Sequence, residues 1–109
     1  MDFREFQMLA KTTAVYPNKG NNIIYPVLGL TNEAGEVAGK LKKIIRDNNG
    51  LLTDESLNAI IDECGDVLWY LSQICVELDV NLDDVAKRNI DKLIERMKKG
   101  TIQGSGDNR

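Results

Sequence analysis

The apolar residues between Leu57 and Leu78 most constrain what this chain can become. Leu57, Ile60, Ile61, Cys64, Val67, Leu68, Leu71, Ile74, Cys75 and Leu78 recur at helical spacing over about six turns. A period of 3.6 residues lines them up as one stripe that must be covered. Thr53 or Asp54 is positioned to cap this helix, and Asp79-Val80-Asn81 ends it. No segment alternates with period two, so the pattern calls for no strand.

Three further helices are predicted around it. The first runs from about Asp2 to Ala14, with Phe3, Phe6, Leu9 and Ala10 on one side. Tyr16-Pro17-Asn18-Lys19-Gly20-Asn21-Asn22 is a loop built of turn residues. The second helix starts near Pro26, a residue favoured in a first turn, and reaches about Asp47 before Asn48-Asn49-Gly50. The fourth spans Leu82 to Lys99, with Val85, Ala86, Ile90, Leu93, Ile94 and Met97 apolar. Asp83 and Asp84 at its start and Lys98 and Lys99 at its end complement the helix dipole. Helices joined by short loops predict an all-α fold, a four-helix bundle over residues 1–99. Residues 100–109 carry no pattern and read as a flexible, glycine-rich tail.

A chain of 109 residues is one domain with a thin core, so self-association to a dimer or tetramer is expected. Its net charge of −3 disfavours nucleic-acid binding. The basic runs (Lys40, Lys42, Lys43 and Arg46; Lys98 and Lys99) sit among acids and read as solvated faces. Cys64 and Cys75 are eleven residues apart on one helix, about 16 Å along its axis, which is too far for a disulfide between them. Both read as small buried hydrophobes in a reducing cytoplasm. Asp2 and Arg4, with no apolar run behind them, read against a secretory leader, and no stretch is long enough to cross a membrane. The absence of histidine excludes the Ser-His and Cys-His nucleophiles and most zinc sites. Any chemistry falls to carboxylates, lysines, arginines and a metal.

Two pentapeptides stand out. Glu33-Ala34-Gly35-Glu36-Val37 and Glu63-Cys64-Gly65-Asp66-Val67 match as Glu-small-Gly-acid-Val, thirty residues apart on two helices. A glycine inside a helix costs roughly 1 kcal/mol relative to alanine, so each needs a reason. Close approach of the two helix backbones beside the acids is one. At 100° per residue, Glu33 lies about 80° and Glu36 about 140° from the apolar centre of their helix. Glu63 and Asp66 lie about 90° and 150° from theirs, in the same sense. Antiparallel packing then turns four carboxylates toward one cleft, where they repel and take up protons unless a cation compensates. Oxygen donors alone suit Mg²⁺ or Mn²⁺, bridged to phosphates. Acids at i and i+3 also occur on solvated faces, so the pattern by itself leaves both readings open.

Glu33-x-x-Glu36 followed by Glu63-x-x-Asp66 resembles the metal-binding signature of the MazG-like all-α nucleoside triphosphate pyrophosphohydrolases. The resemblance extends over Gly29–Val37, Asp62–Tyr70, Asn89, Lys92-Leu93, Arg96 and the closing Gly100-Thr101-Ile102 and Gly104-Ser105-Gly106-Asp107. It implies a four-helix core completed by oligomerisation, and hydrolysis of a nucleoside triphosphate to monophosphate and pyrophosphate. By the same resemblance Glu33, Glu36, Glu63 and Asp66 are Mg²⁺ ligands, and Glu36 also orients or deprotonates the attacking water. Asn89, Lys92 and Arg96 share one side of the fourth helix, about 80°, 140° and 100° from its apolar centre. They are candidate substrate-binding residues, with the two cations facing phosphate oxygens.

Lys40, four residues after Glu36, reads as a helix salt-bridge partner, and Lys43 shares its face. Trp69 and Tyr70 read as core or subunit interface before base stacking, and Tyr16 is a weaker stacking candidate. The glycines of the tail suit a backbone that approaches phosphates in a neighbouring subunit. Two other functions remain in view: a related pyrophosphohydrolase acting on dUTP or phosphoribosyl-ATP, and a helical module that binds nucleotide without turnover.

Overall fold

A computed structural model describes residues 1–107, and Asn108 and Arg109 of the expected tail lie outside the described residues. Four helices and no strand are present among them: α1 (Phe3–Thr12), α2 (Ile24–Asn48), α3 (Asp54–Glu77) and α4 (Leu82–Lys99). The all-α fold read from the sequence is therefore the one observed.

Local chemistry fixes each boundary. Asp2 caps α1 by accepting from the Glu5 amide at 2.8 Å. The first helix stops at Thr12, two residues short of the expected end, where Thr13 caps it. In the second, Pro26 lies inside the first turn and the helix starts at Ile24, helped by Asn22 Oδ1, which accepts from the Tyr25 amide at 3.1 Å. Left-handed Asn49 and Gly50 (φ +54° and +75°) end α2 and reverse the chain. Thr53, not Asp54, caps α3: its hydroxyl accepts from the Ser56 amide, and Ser56 Oγ accepts from the Thr53 amide. The last helix is closed by left-handed Gly100, φ +69°.

The helices α2 and α3 form an antiparallel hairpin and make the main packing of the chain, while α1 rests on α3 and α4. Gln7 of α1 clamps the turn before α4, donating to the Val80 carbonyl and accepting from the Leu82 amide, both at 2.9 Å. The radius of gyration, 16.8 Å, exceeds the value of about 13 Å for a compact domain of this length. The single chain is thus open.

That openness corrects the expected core. Ala10, Ala14, Tyr16, Pro26, Ile44, Cys75 and Leu82 are buried, whereas Phe3, Leu9, Leu57, Ile61 and Leu78 are exposed. Cys75 is buried as expected, but Cys64 is exposed. It lies on the N-terminal half of the α3 stripe with Leu57 and Ile61, which are exposed too. In the C-terminal half, neighbours on two sides bury a wider arc. Ser72 and Gln73, outside the predicted stripe, are fully buried there. Tyr16 is buried as well, not a free stacking surface: its hydroxyl donates to Glu77 and receives a bond from Gln73 Nε2 at 3.2 Å.

Candidate active site

The hairpin delivers the acids in register. Gly29 of α2 lies against the Tyr70 ring of α3, and a Cβ on Gly29 would fall 2.1 Å from Tyr70 Cε1. Counting one turn inward from that contact along both helices sets Glu33 opposite Asp66. Three residues farther, Glu36 stands opposite Glu63. The close approach expected at Gly35 and Gly65 occurs at Gly29 instead. Nothing lies within 4 Å of a Cβ built on either mid-helix glycine, so both border open space.

Carboxylate oxygens of Glu33, Glu63 and Asp66 lie within 4.8 Å of one another. Glu36 is exposed, and its carboxylate is not one of the converging three. Burial, a hydrogen bond to Glu63, and the charges of Asp66, Glu63 and Glu36 all push the Glu33 carboxyl above its ordinary range. Lys40 offers partial compensation at 4.0 Å from Glu63. It bridges α2 to α3 across the hairpin, where the sequence reading paired it with Glu36 along one helix. A compact set of hard oxygen donors with excess negative charge fits a divalent cation, and Glu33, Glu63 and Asp66 are the residues that would hold it.

The cations of α4 form a second cluster. Arg96 is buried, with its side chain 6% exposed, and Lys92 is half-buried above it. Both point at Asp107, which has come back along α4 from the chain reversal at Gly100. Asn89, one turn before Lys92, is exposed. The expected substrate-binding trio therefore shares one flank of α4, and two of its members already hold a carboxylate.

Comparison with known proteins gives the family. The model of the MazG nucleotide pyrophosphohydrolase domain matches residues 26–101, a stretch containing all four acids together with Asn89, Lys92 and Arg96. This chain belongs to the MazG family. It is also 46% identical over 109 residues to the Gene 37 protein of Mycobacterium phage L5, covering 95% of this chain and 96% of that relative. No solved structure gives a significant match.

Around the MazG-type acids stands an aromatic wall that the sequence reading did not assemble. Tyr16 and Tyr25 stack with centroids 4.9 Å apart, Tyr25 meets Tyr70 at 6.4 Å, and Trp69 meets Tyr70 edge-on at 5.0 Å. Trp69 Nε1 also donates to Thr13 Oγ1 at 2.8 Å, which ties α3 to the end of α1. Both Trp69 and Tyr70 are partly buried, in keeping with a packing role. Tyr70 feels the charges of Glu33 and Asp66, so the wall borders the acids. Gln73 and Glu77 lie one turn apart on α3 and meet Tyr16 only because the loop after α1 folds onto that helix, which helical spacing does not foretell. The signal available was two polar residues, Ser72 and Gln73, on a helix flanked by partners.

Proposed function

We propose that the chain hydrolyses (d)NTPs to (d)NMPs and pyrophosphate in a Mg²⁺-dependent reaction, with Mn²⁺ able to substitute. A role in clearing unwanted nucleotides from the pool fits this activity. The observation carrying the reading is the convergence of Glu33, Glu63 and Asp66 from two matched motifs within the MazG domain. A divalent cation held by those carboxylates would supply positive charge against the triphosphate and acidify nearby water.

Glu36 faces Glu63 in the helix register and is assigned as the fourth ligand and as the group that orients the attacking water and takes its proton. Its exposure keeps it accessible to solvent, and substrate binding would draw it in. Lys92 and Arg96 hold phosphate oxygens as charge gathers on them, and Asn89 donates to the same substrate. Self-association accompanies this reading: the chain alone is open, and Ile24, Leu28, Leu41 and Ile45 form an exposed apolar stripe along α2.

Incubation of the purified protein with a panel of ribo- and deoxynucleoside triphosphates, with and without Mg²⁺, tests the proposal. Monophosphate and pyrophosphate should appear only with metal, and Glu63→Gln should abolish them while leaving the helical spectrum intact. Diphosphate and phosphate as products would overturn α–β cleavage. Metal-dependent nucleotide binding without any product would leave a non-catalytic module.

A further inference from the structure

Arg96 poses a physical problem that the chain solves with its own tail. A guanidinium that is nearly all buried is costly without a counter-charge. Arg96 Nη2 donates to the Asp107 carbonyl at 3.1 Å and to Asp107 Oδ1 at 3.3 Å, and Lys92 Nζ reaches the same Oδ1 at 3.3 Å. Arg96 Nε is buried with no hydrogen-bond partner, and Nη2 is the guanidinium atom that reaches Asp107.

The approach of the tail is built. The Gly100 amide bonds to the Met97 carbonyl at 3.2 Å and the Thr101 amide to the Arg96 carbonyl at 2.8 Å, which folds the chain back at the end of α4. Gly106, at φ +81°, then takes a left-handed conformation that side chains rarely adopt, immediately before Asp107. Asp107 itself is 85% exposed and borne on a segment containing Gly104 and Gly106. The carboxylate is therefore open to solvent around its contacts with Lys92 and Arg96.

We propose that Asp107 is a displaceable latch that occupies the phosphate seat on α4 until a phosphate of the substrate replaces it. The exchange is anion for anion, so Arg96 is never left buried without a partner. This rests on the reading of Lys92 and Arg96 as phosphate donors given under Proposed function.

The test uses inorganic pyrophosphate as probe, titrated calorimetrically into the full chain in metal-free, low-salt buffer, and needs no turnover. Asp107→Asn should bind pyrophosphate about two- to fivefold tighter than the parent, the range set by an exposed ion pair. The difference should shrink in high salt. Lys92→Gln should weaken binding in both backgrounds and narrow the gap between them. Equal or weaker binding by Asp107→Asn overturns the latch, the weaker case making the carboxylate part of the seat. No binding by either protein overturns seat and latch together. Unchanged pyrophosphate affinity in a protein that hydrolyses nucleotides removes the latch and leaves the hydrolase. Tighter binding in one that hydrolyses nothing does the reverse.

Discussion

Gly29 and Tyr70 touch at a point that sets the alignment of two helices. The ring of Tyr70 fills the space a Cβ on Gly29 would need, and one turn away along both helices stand Glu33 and Asp66. Any larger residue at 29 pushes α2 and α3 apart just where the carboxylates must converge. Gly29→Ala is expected to destabilise the chain by about 1–3 kcal/mol through overpacking, even though alanine is the better helix former. It should also lower metal-dependent turnover more than the stability loss explains. Chemical denaturation alongside turnover checks both, and an unchanged midpoint would mean that Tyr70 simply rotates away.

The proposed metal at the three converging acids would couple its binding to stability. Glu33 has its pKa raised by burial and by its contacts with Glu63, Asp66 and Glu36, so its ionised form opposes folding. The sign is the reverse of the usual carboxylate. This contribution falls as pH rises from the unfolded pKa, near 4.5, through the raised folded value, and its cost persists at neutral pH. Metal-free protein should therefore melt higher when Glu33 is replaced by Gln. At tenfold excess over its dissociation constant, Mg²⁺ should add about 1.4 kcal/mol to the parent. That is a rise of several degrees in Tm, and Glu33→Gln should lose most of it. Melting curves across pH, with and without Mg²⁺, give both readings.

Glu77 behaves in the ordinary direction. Burial by itself would raise its pKa, but bonds from the Tyr16 hydroxyl and the Gly20 and Asn22 amides outweigh it and hold the carboxyl below its usual range. The stability it provides is present above the unfolded pKa, near 4.5, and is lost as pH falls through the depressed folded value. Tyr16→Phe removes a donor to that carboxylate and leaves Gln73 without its acceptor. A loss of about 1.5–3 kcal/mol is expected, with a weaker acid dependence. Denaturant titrations at neutral and acid pH measure both, and a parallel shift at the two pH values would count against the assignment.

The exposed stripe on α2 makes association a measurable expectation. Leu41 and Ile45 sit one turn apart on it, 48% and 61% exposed. Replacing both with Arg should shift the species seen by light scattering after size exclusion toward the monomer. A parent that is already monomeric at tens of micromolar would contradict the oligomer.

The acidic site was legible because its signals are local. Glu-x-x-acid at helical spacing places each pair on one helix flank, and the shared glycine marked the two motifs as copies. The common flank of Asn89, Lys92 and Arg96 on α4 follows on the same ground, since a residue's position around a helix follows from its number; their role toward substrate is a proposal. The Gly29 contact, the Lys40–Glu63 bridge and the fold-back of Asp107 were not, because each joins residues whose meeting depends on how helices or tail are arranged in space.

The sequence by itself determined four helices, their caps within a residue or two, and the two acid pairs that they carry. Periodicity and capping depend on neighbours a few positions apart, which the chain order already specifies. Tertiary structure alone decided which residues of α3 are covered, leaving Cys64 exposed while Gln73 is buried. It also decided which three carboxylates converge and that the tail carboxylate meets Arg96. Burial and charge pairing are properties of surfaces in contact, and one helical pattern cannot say what will lie against it.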